Sequence, residues 1–207
     1  MCVSFGLDPR HYSKEQRDAA VEEAFREWAG LVGDEERREW PSNPTSRRTY
    51  PIISTDGVTD AWWGLIVDGK PAPWPLHGAN SRSERFAKKA PARRALVPAT
   101  GFYERYDPDT SQWYRYERGS DLLLMAALVQ DGILVDGTRW ICYSILTQDP
   151  PAHLAPIHKR TVMLIPDEHA ADWLAADAPA SIVADMIAAS APLQAEIQPV
   201  HLEGKPA

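Results

Sequence analysis

Apolar positions along this chain change their period twice. Between residues 14 and 32, Val21, Ala24, Phe25, Trp28, Leu31 and Val32 recur at spacings of three and four, with Glu22, Glu23, Arg26 and Glu27 opposite. That spacing predicts a surface helix. Ser13 and Gln16 read as its capping box, the Ser hydroxyl bonding an early backbone N–H and the Gln reaching back. The run from Val3 to Leu7 ahead of it reads as a strand, and the turn-rich stretch GDEERREWPSNPTSRR after it as a long loop. The chain then shifts to short β-rich runs: TYPIIS (49–54), DAWWGLIV (60–67), RALVPA (94–99), GFYERY (101–106), QWYRYE (112–117), LLLMAALVQ (122–130), RWICYSILT (139–147) and RTVMLI (160–165). Asp-Gly, Asp-Pro or Gly-Ser turn signals bound several of them, Asp107-Pro108 among these, and most pairs have no helix between, so they predict an antiparallel, barrel-like sheet rather than βαβ units. Helical spacing returns in PDEHAADWLAAD, with Pro166 and an acidic first turn at its start, and in ASIVADMIAAS. Glu196 to Leu202 reads as a last strand. The expected class is α+β: a mostly antiparallel barrel-like sheet with an N-terminal helix and C-terminal helices.

A length of 207 residues fits one domain, taken as 1–207, and is enough to bury a core without a disulfide or metal staple. The two cysteines, Cys2 and Cys142, are too few for a secreted disulfide framework. No apolar run approaches the roughly 18 to 20 residues of a membrane span, and the first residues lack the basic-then-apolar order of a secretory signal. A soluble protein of the cytoplasm is expected, with no membrane partner. The formal net charge of −7 argues against coating nucleic acid by bulk electrostatics. Yet Arg82, Arg85, Lys88, Lys89, Arg93, Arg94 and Arg105 face only Glu84 and Glu104 between positions 79 and 105, a local +5 on a remainder of −12. Such a strip can steer one anionic ligand to one place.

Cys2 carries the most distinctive chemistry. Once Met1 is removed, one residue holds an α-amine and a thiol on adjacent carbons. An α-amine titrates near 8 against about 10.4 for Lys, so at neutral pH it offers on the order of a few hundred times more free amine. It is a ready Schiff-base nucleophile toward an aldehyde. Closure of the neighbouring thiol onto the imine carbon is intramolecular, which favours a five-membered thiazolidine. Glu104, in the aromatic strand Gly101-Phe102-Tyr103-Glu104, is placed for a carboxyl raised by desolvation, although a Glu there is more often a surface carboxylate. His158 sits where a loop meets an apolar strand, a common position for functional side chains, although a lone His is usually structural. No ligand spacing such as C-x-x-C is present, so neither a metal nor a cofactor is expected.

Met1-Cys2, Asn80-Ser81-Arg82-Ser83-Glu84, Pro98 to Glu104 and Ile157-His158-Lys159-Arg160 stand in the order and rough spacing of the SOS-response-associated peptidase (SRAP) family, which the chain resembles over nearly its whole length. Trp63-Gly64-Leu65-Ile66 and Thr147, eleven positions before His158, are similar to that family too. The resemblance implies a protein that shields abasic sites in single-stranded DNA by linking its N-terminal Cys to the opened deoxyribose. Cys2 is then the nucleophile. Asn80 positions the Cys2 end and the sugar, Glu104 moves protons, and His158 protonates the sugar ring oxygen and assists reversal. Arg82 and Arg160 bind phosphates, Thr147 lines the pocket and Trp74 stacks on a base. The implied partner is single-stranded DNA with abasic sites, bound by a monomer at damaged sites of the nucleoid, with abasic-site lyase and self-processing peptidase activity as further expectations.

The chain departs from the family pattern at several points. Val3 and Ser4 stand where Gly-Arg is usual after Met-Cys, Ser81 where Ala is common, and Arg105 where a Trp usually follows the Glu. The segment His158 to Val162 lacks the usual Met-Pro, and Pro41-Ser42-Asn43-Pro44-Thr45 answers only loosely to an Asn-x-x-Pro element. Two other readings of the same residues stay open. A Cys/His peptidase of the N-terminal-nucleophile type would use Cys2 as thiolate and His158 as base. A non-covalent single-strand binder would use the Trp residues and the cationic strip.

Overall fold

A computed structural model describes residues 4–6, 49–64, 66–68, 70–71, 81–82, 93–119 and 122–203. Its strands are β1 (Ser4–Gly6), β2 (Thr49–Ser54), β3 (Gly57–Trp63), β4 (Ile66–Val67), β5 (Lys70–Pro71), β6 (Ser81–Arg82), β7 (Arg93–Ala99), β8 (Gly101–Tyr106), β9 (Asp109–Glu117), β10 (Leu123–Ile133), β11 (Arg139–Gln148), β12 (Thr161–Val162) and β13 (Gln198–Leu202). A 3-10 turn (Asp167–His169) leads into α1 (Ala170–Leu174), and α2 spans Ile182–Glu196. The helix expected over 14–32 and its capping box lie outside the described residues.

Strands β10, β7, β2, β3 and β11 pair in that order, and β11 pairs back onto β10, so the hydrogen bonding closes into a ring. Closure buries the inner face and packing elements cover much of the outer one, so both faces of β2, β7 and most of β10 and β11 are buried and these strands read as nearly continuous apolar runs. Alternate residues divide cleanly. Ile52, Ala95, Val97, Met125, Ala127, Tyr143 and Ile145 enter one core cluster, while Ile53, Leu96, Leu124, Ala126 and Leu146 enter another. The second is capped by Trp173 and Leu174 of α1 and Val183 and Met186 of α2. Trp173 Nε1 donates to the carbonyl of Ala95 at 2.9 Å. A second sheet, in the order β1-β8-β9-β13, is antiparallel throughout and packs Phe5, Phe102 and Tyr116 into the first cluster.

The barrel-like, mostly antiparallel sheet is the one expected, with three corrections. First, β3 and β6 both run parallel to β11. Second, the run 60–67 is two strands, interrupted at Gly64, whose φ of 131° suits a residue without a Cβ. Third, the run 160–165 is a continuous strand only over Thr161–Val162, and Leu164 bridges antiparallel to Met125. Beyond it Met163 donates to Leu146 O on β11 and accepts from Ala126 N on β10, so this segment wedges between those strands where their own pairing stops. Ser190 and Gln194 of α2 take up polar groups beside it: Leu164 N donates to Ser190 Oγ at 3.2 Å, and Gln194 Nε2 donates to Val162 O at 2.6 Å. These side chains answer main-chain groups that a longer ladder would have paired.

The cationic strip is thinner in the fold than along the sequence. Arg94 is buried, its guanidinium over the Trp173 ring at 5.4 Å and donating to the carbonyls of Ala178 and Pro179. Arg93 pairs with Asp131 at 2.7 Å. Among the described residues, no helix is long and apolar enough to cross a membrane.

Candidate active site

Glu104 lies on β8 in the interior of the second sheet, flanked by β1 and β9 and facing Tyr114 across the latter. Strand alternation turns Phe102 and Glu104 to the core side, and the Glu104 residue is wholly buried (0% exposed). Burial raises its carboxyl from 4.5 to about 7, despite opposing interactions. A carboxyl that titrates near neutrality can both accept and return a proton there. Tyr116 follows on the same face of β9; burial, then the charge of Glu104, pushes its phenol above its ordinary value, so it stays protonated.

Gly101 lets β8 approach β9 closely. A Cβ there would sit 2.8 Å from the Tyr116 carbonyl oxygen and 3.0 Å from Arg115 Nε. Gly101→Ala is expected to lower stability by about 1–3 kcal/mol through overpacking, read as a lower urea midpoint.

His158 arrives from the loop between β11 and β12. That loop is folded by turn bonds from Leu154 N and Ala155 N to Pro151 O, and from Ile157 N and His158 N to Leu154 O. Leu154 and Ile157 anchor it in the core. The imidazole is buried, with Nε2 3.8 Å from Glu104 Oε2 and 3.3 Å from Asp107 Oδ1. On its other edge Nδ1 lies 2.9 Å from Arg160 O and 3.1 Å from Arg160 N. Burial lowers the affinity of the ring for a proton, while the Arg160 carbonyl and Asp107 work the other way. The structure therefore brings a buried carboxyl and a buried imidazole together from a strand and a loop far apart in sequence.

Thr147 and Arg160 meet at the same end of the barrel. Arg160 donates from Nη2 to Thr147 O at 2.6 Å and from Nη1 to Asp149, and both Thr147 and Arg160 are buried. The guanidinium thus staples the His158 loop to β11. Arg82 pairs with Thr147 along the parallel β6–β11 contact, which sets its main chain beside this loop. Cys2, Trp74 and Asn80 lie outside the described residues. Asp107 is the residue that sequence reasoning passed over; Asp107-Pro108 registered only as a turn signal. Arg105, at the irregularity of the β8–β9 register, is exposed and stacks over Trp113 at 4.8 Å. Among the described residues, no group of three or more His, Cys, Asp or Glu side chains is arranged to hold a metal ion.

A barrel joined to a second sheet, with a buried Glu–His pair brought together between them, agrees with a family assignment made on sequence. The model of the SOS response associated peptidase (SRAP) family matches residues 9–203. The chain belongs to that family. It is similar to the abasic site processing protein YobE of Bacillus subtilis (strain 168), 30% identical over 122 residues that cover 54% of this chain and 56% of the relative. Abasic site processing protein YoqW of the same strain is 29% identical over 127 residues, covering 54% of each. The chain thus spans about half the length of the curated relatives it matches. A crystal structure of a protein from Bordetella bronchiseptica shares the fold at TM-score 0.71 and 20% identity, covering 98% of this chain and 100% of that one.

Proposed function

We propose that this protein processes abasic sites in single-stranded DNA by covalent capture through Cys2, acting as a single-domain monomer. The observation that carries the reading is the register at the second sheet. Ser4 pairs with Tyr103, and β1 runs antiparallel to β8, so its N-terminal direction leads toward Glu104, which faces His158 at 3.8 Å. Covalent geometry allows at most about 3.6 Å per residue, so a residue two positions before Ser4 stays within about 7 Å of it.

His158 gives a proton to the ring oxygen of the abasic deoxyribose as the ring opens to the aldehyde. The free α-amine of Cys2, present after Met1 is removed, adds to C1′; proton transfers through Glu104 convert the adduct to an imine with loss of one water. The Cys2 thiol adds to the imine carbon and its proton passes to the nitrogen, closing the thiazolidine. If closure fails, β-elimination from the imine cleaves the strand, which is the lyase branch. Asn80 holds the nucleophile and sugar, Trp74 stacks on a neighbouring base, and Thr147 shapes the pocket. Arg82 binds a flanking phosphate. Arg160 reaches a phosphate only by exchanging its Asp149 partner. The names of the Bacillus relatives support the abasic-site part of this reading.

Intact-mass analysis before and after incubation with single-stranded DNA bearing one abasic site tests it: the expected product is one DNA per protein minus one water, on a chain lacking Met1. An unmodified oligonucleotide that adds equally well overturns the aldehyde mechanism. Arg82→Ala is expected to weaken binding of unmodified single strands and to reduce the slope of log affinity against log salt by about 0.7, as loss of one phosphate contact requires.

A further inference from the structure

Asp107 takes no part in the steps above. It opens the turn between β8 and β9 with its side chain 39% exposed, where a negative charge opposes the approach of a polyanion. Three of its contacts go to consecutive residues of the His158 loop. The Asp107 N–H donates to Ile157 O at 2.9 Å, its Oδ1 lies 3.3 Å from His158 Nε2, and its Oδ2 accepts the Lys159 N–H at 3.1 Å. Pro108 follows and restricts the backbone of the turn. We propose that Asp107 is a positioning residue for the Glu104–His158 pair, clamping the histidine loop to the end of β8 and holding the Nε2–H edge of the imidazole toward Glu104.

The other edge of the ring explains why a carboxylate is suited to this place. Arg160 offers Nδ1 both an N–H and a carbonyl, so Nδ1 can accept or donate. In the charged ring Nδ1–H donates to Arg160 O and the Nε2–H, held by Asp107, is the proton to be given; once it leaves, Nδ1–H stays on the Arg160 carbonyl and the Asp107 carboxylate favours its return to Nε2. The charged and titratable groups that face the imidazole among the described residues are Glu104 on β8, Asp107 in the turn, and Lys159 and Arg160 in its own loop. Lys159 disfavours a charged ring, and the Asp107 carboxylate favours it. The same carboxylate also raises Glu104. One anion therefore shifts both members of the pair toward keeping a proton, whereas within the pair the effects are opposite: ionised Glu104 helps His158 keep its proton, and protonated His158 helps Glu104 lose its own.

The catalytic side of this inference rests on the proposed abasic-site capture; the clamp does not, and the experiment reads the two apart. The His158 ring is titrated by NMR in the full chain as wild type, Asp107→Asn and Asp107→Glu, and capture of abasic single-stranded DNA is timed across pH in the same proteins. Asp107→Asn is expected to move the His158 midpoint to lower pH and to slow capture by roughly tenfold at pH values above both midpoints, with the difference vanishing below them, where both proteins carry the proton. Asp107→Glu restores part of both. Should Asp107→Asn fold poorly, Asp107→Ser is to show the same direction of shift. A His158 midpoint unmoved by loss of the carboxylate, or a rate lowered equally at every pH, overturns the proposal. A midpoint that moves in a protein whose wild type captures no abasic DNA upholds the clamp and refutes the proposed function.

Discussion

Cys2→Ala is expected to abolish the DNA adduct that survives heating in detergent, while binding to unmodified single-stranded DNA stays close to that of the wild type. The variant keeps a free α-amine, so an imine can still form, but nothing closes on it. An open imine hydrolyses or eliminates, so strand cleavage at the abasic site is expected to persist or increase as the adduct disappears. Cys2→Ser separates the roles further, because its oxygen is a weaker nucleophile toward the imine carbon and gives at most a slowly formed, labile ring. The measurement is denaturing gel mobility of labelled abasic DNA, scored for retarded and cleaved species. The peptidase and the non-covalent readings give different results. A thiolate peptidase leaves no aldehyde-dependent adduct in the wild type, and a passive binder leaves none after denaturation. A Cys2→Ala protein that still forms the heat-stable species excludes the amine–thiol mechanism.

The parts of this fold that were legible in sequence are those whose pattern is set locally. The runs at 94–99 and 139–147, in the closed ring, and 101–106, in the second sheet, are recovered as strands because most of their residues on both faces are buried, so apolar residues are continuous enough to be seen without knowing their partners. The run 160–165 misled for the same reason: an apolar run says that a segment is buried, not what answers its backbone, and here Ser190 and Gln194 of a distant helix share that task. At the site, Glu104 and His158 were found as residue types in suggestive places. The desolvation that raises the Glu104 carboxyl was expected from its aromatic strand, but the pattern left a surface carboxylate open, since the next residue, Arg105, is exposed on the same strand. Asp107 left no signal beyond Asp-Pro, because its contacts exist only where the β8–β9 turn meets a loop some fifty positions later. Arg160 counts as an available cation in sequence; its pairing with Asp149 depends on how the loop folds back. The strip from 79 to 105 lost Arg93 and Arg94 in the same way, to partners on other elements.

Glu104→Gln is expected to make the protein more stable and less active. Burial holds the Glu104 carboxyl at about 7 in the folded chain against 4.5 when exposed. A proton is therefore bound more tightly by the folded state. The stabilisation this brings is complete below about pH 4.5 and is lost as pH rises through about 7, because the folded state must then carry a buried charge that the unfolded chain exposes to water. The difference between the two values corresponds to about 3 kcal/mol. Glutamine has nearly the same volume and never ionises, so the variant escapes this loss. Its urea midpoint is expected to exceed that of the wild type near pH 8 and to converge with it near pH 4.5. Over the same pH range it cannot relay protons between the carbinolamine and the imine, and capture is expected to slow by about 10²-fold or more. The opposite signs separate a functional carboxyl from a structural one. A structural Glu held by its partners loses stability when replaced, whereas a carboxyl kept desolvated for proton transfer gains it. If Glu104→Gln is no more stable than the wild type at alkaline pH, the carboxyl is already ionised at low pH in the folded chain, and its place as the neutral-pH acid–base group of this site is lost with it.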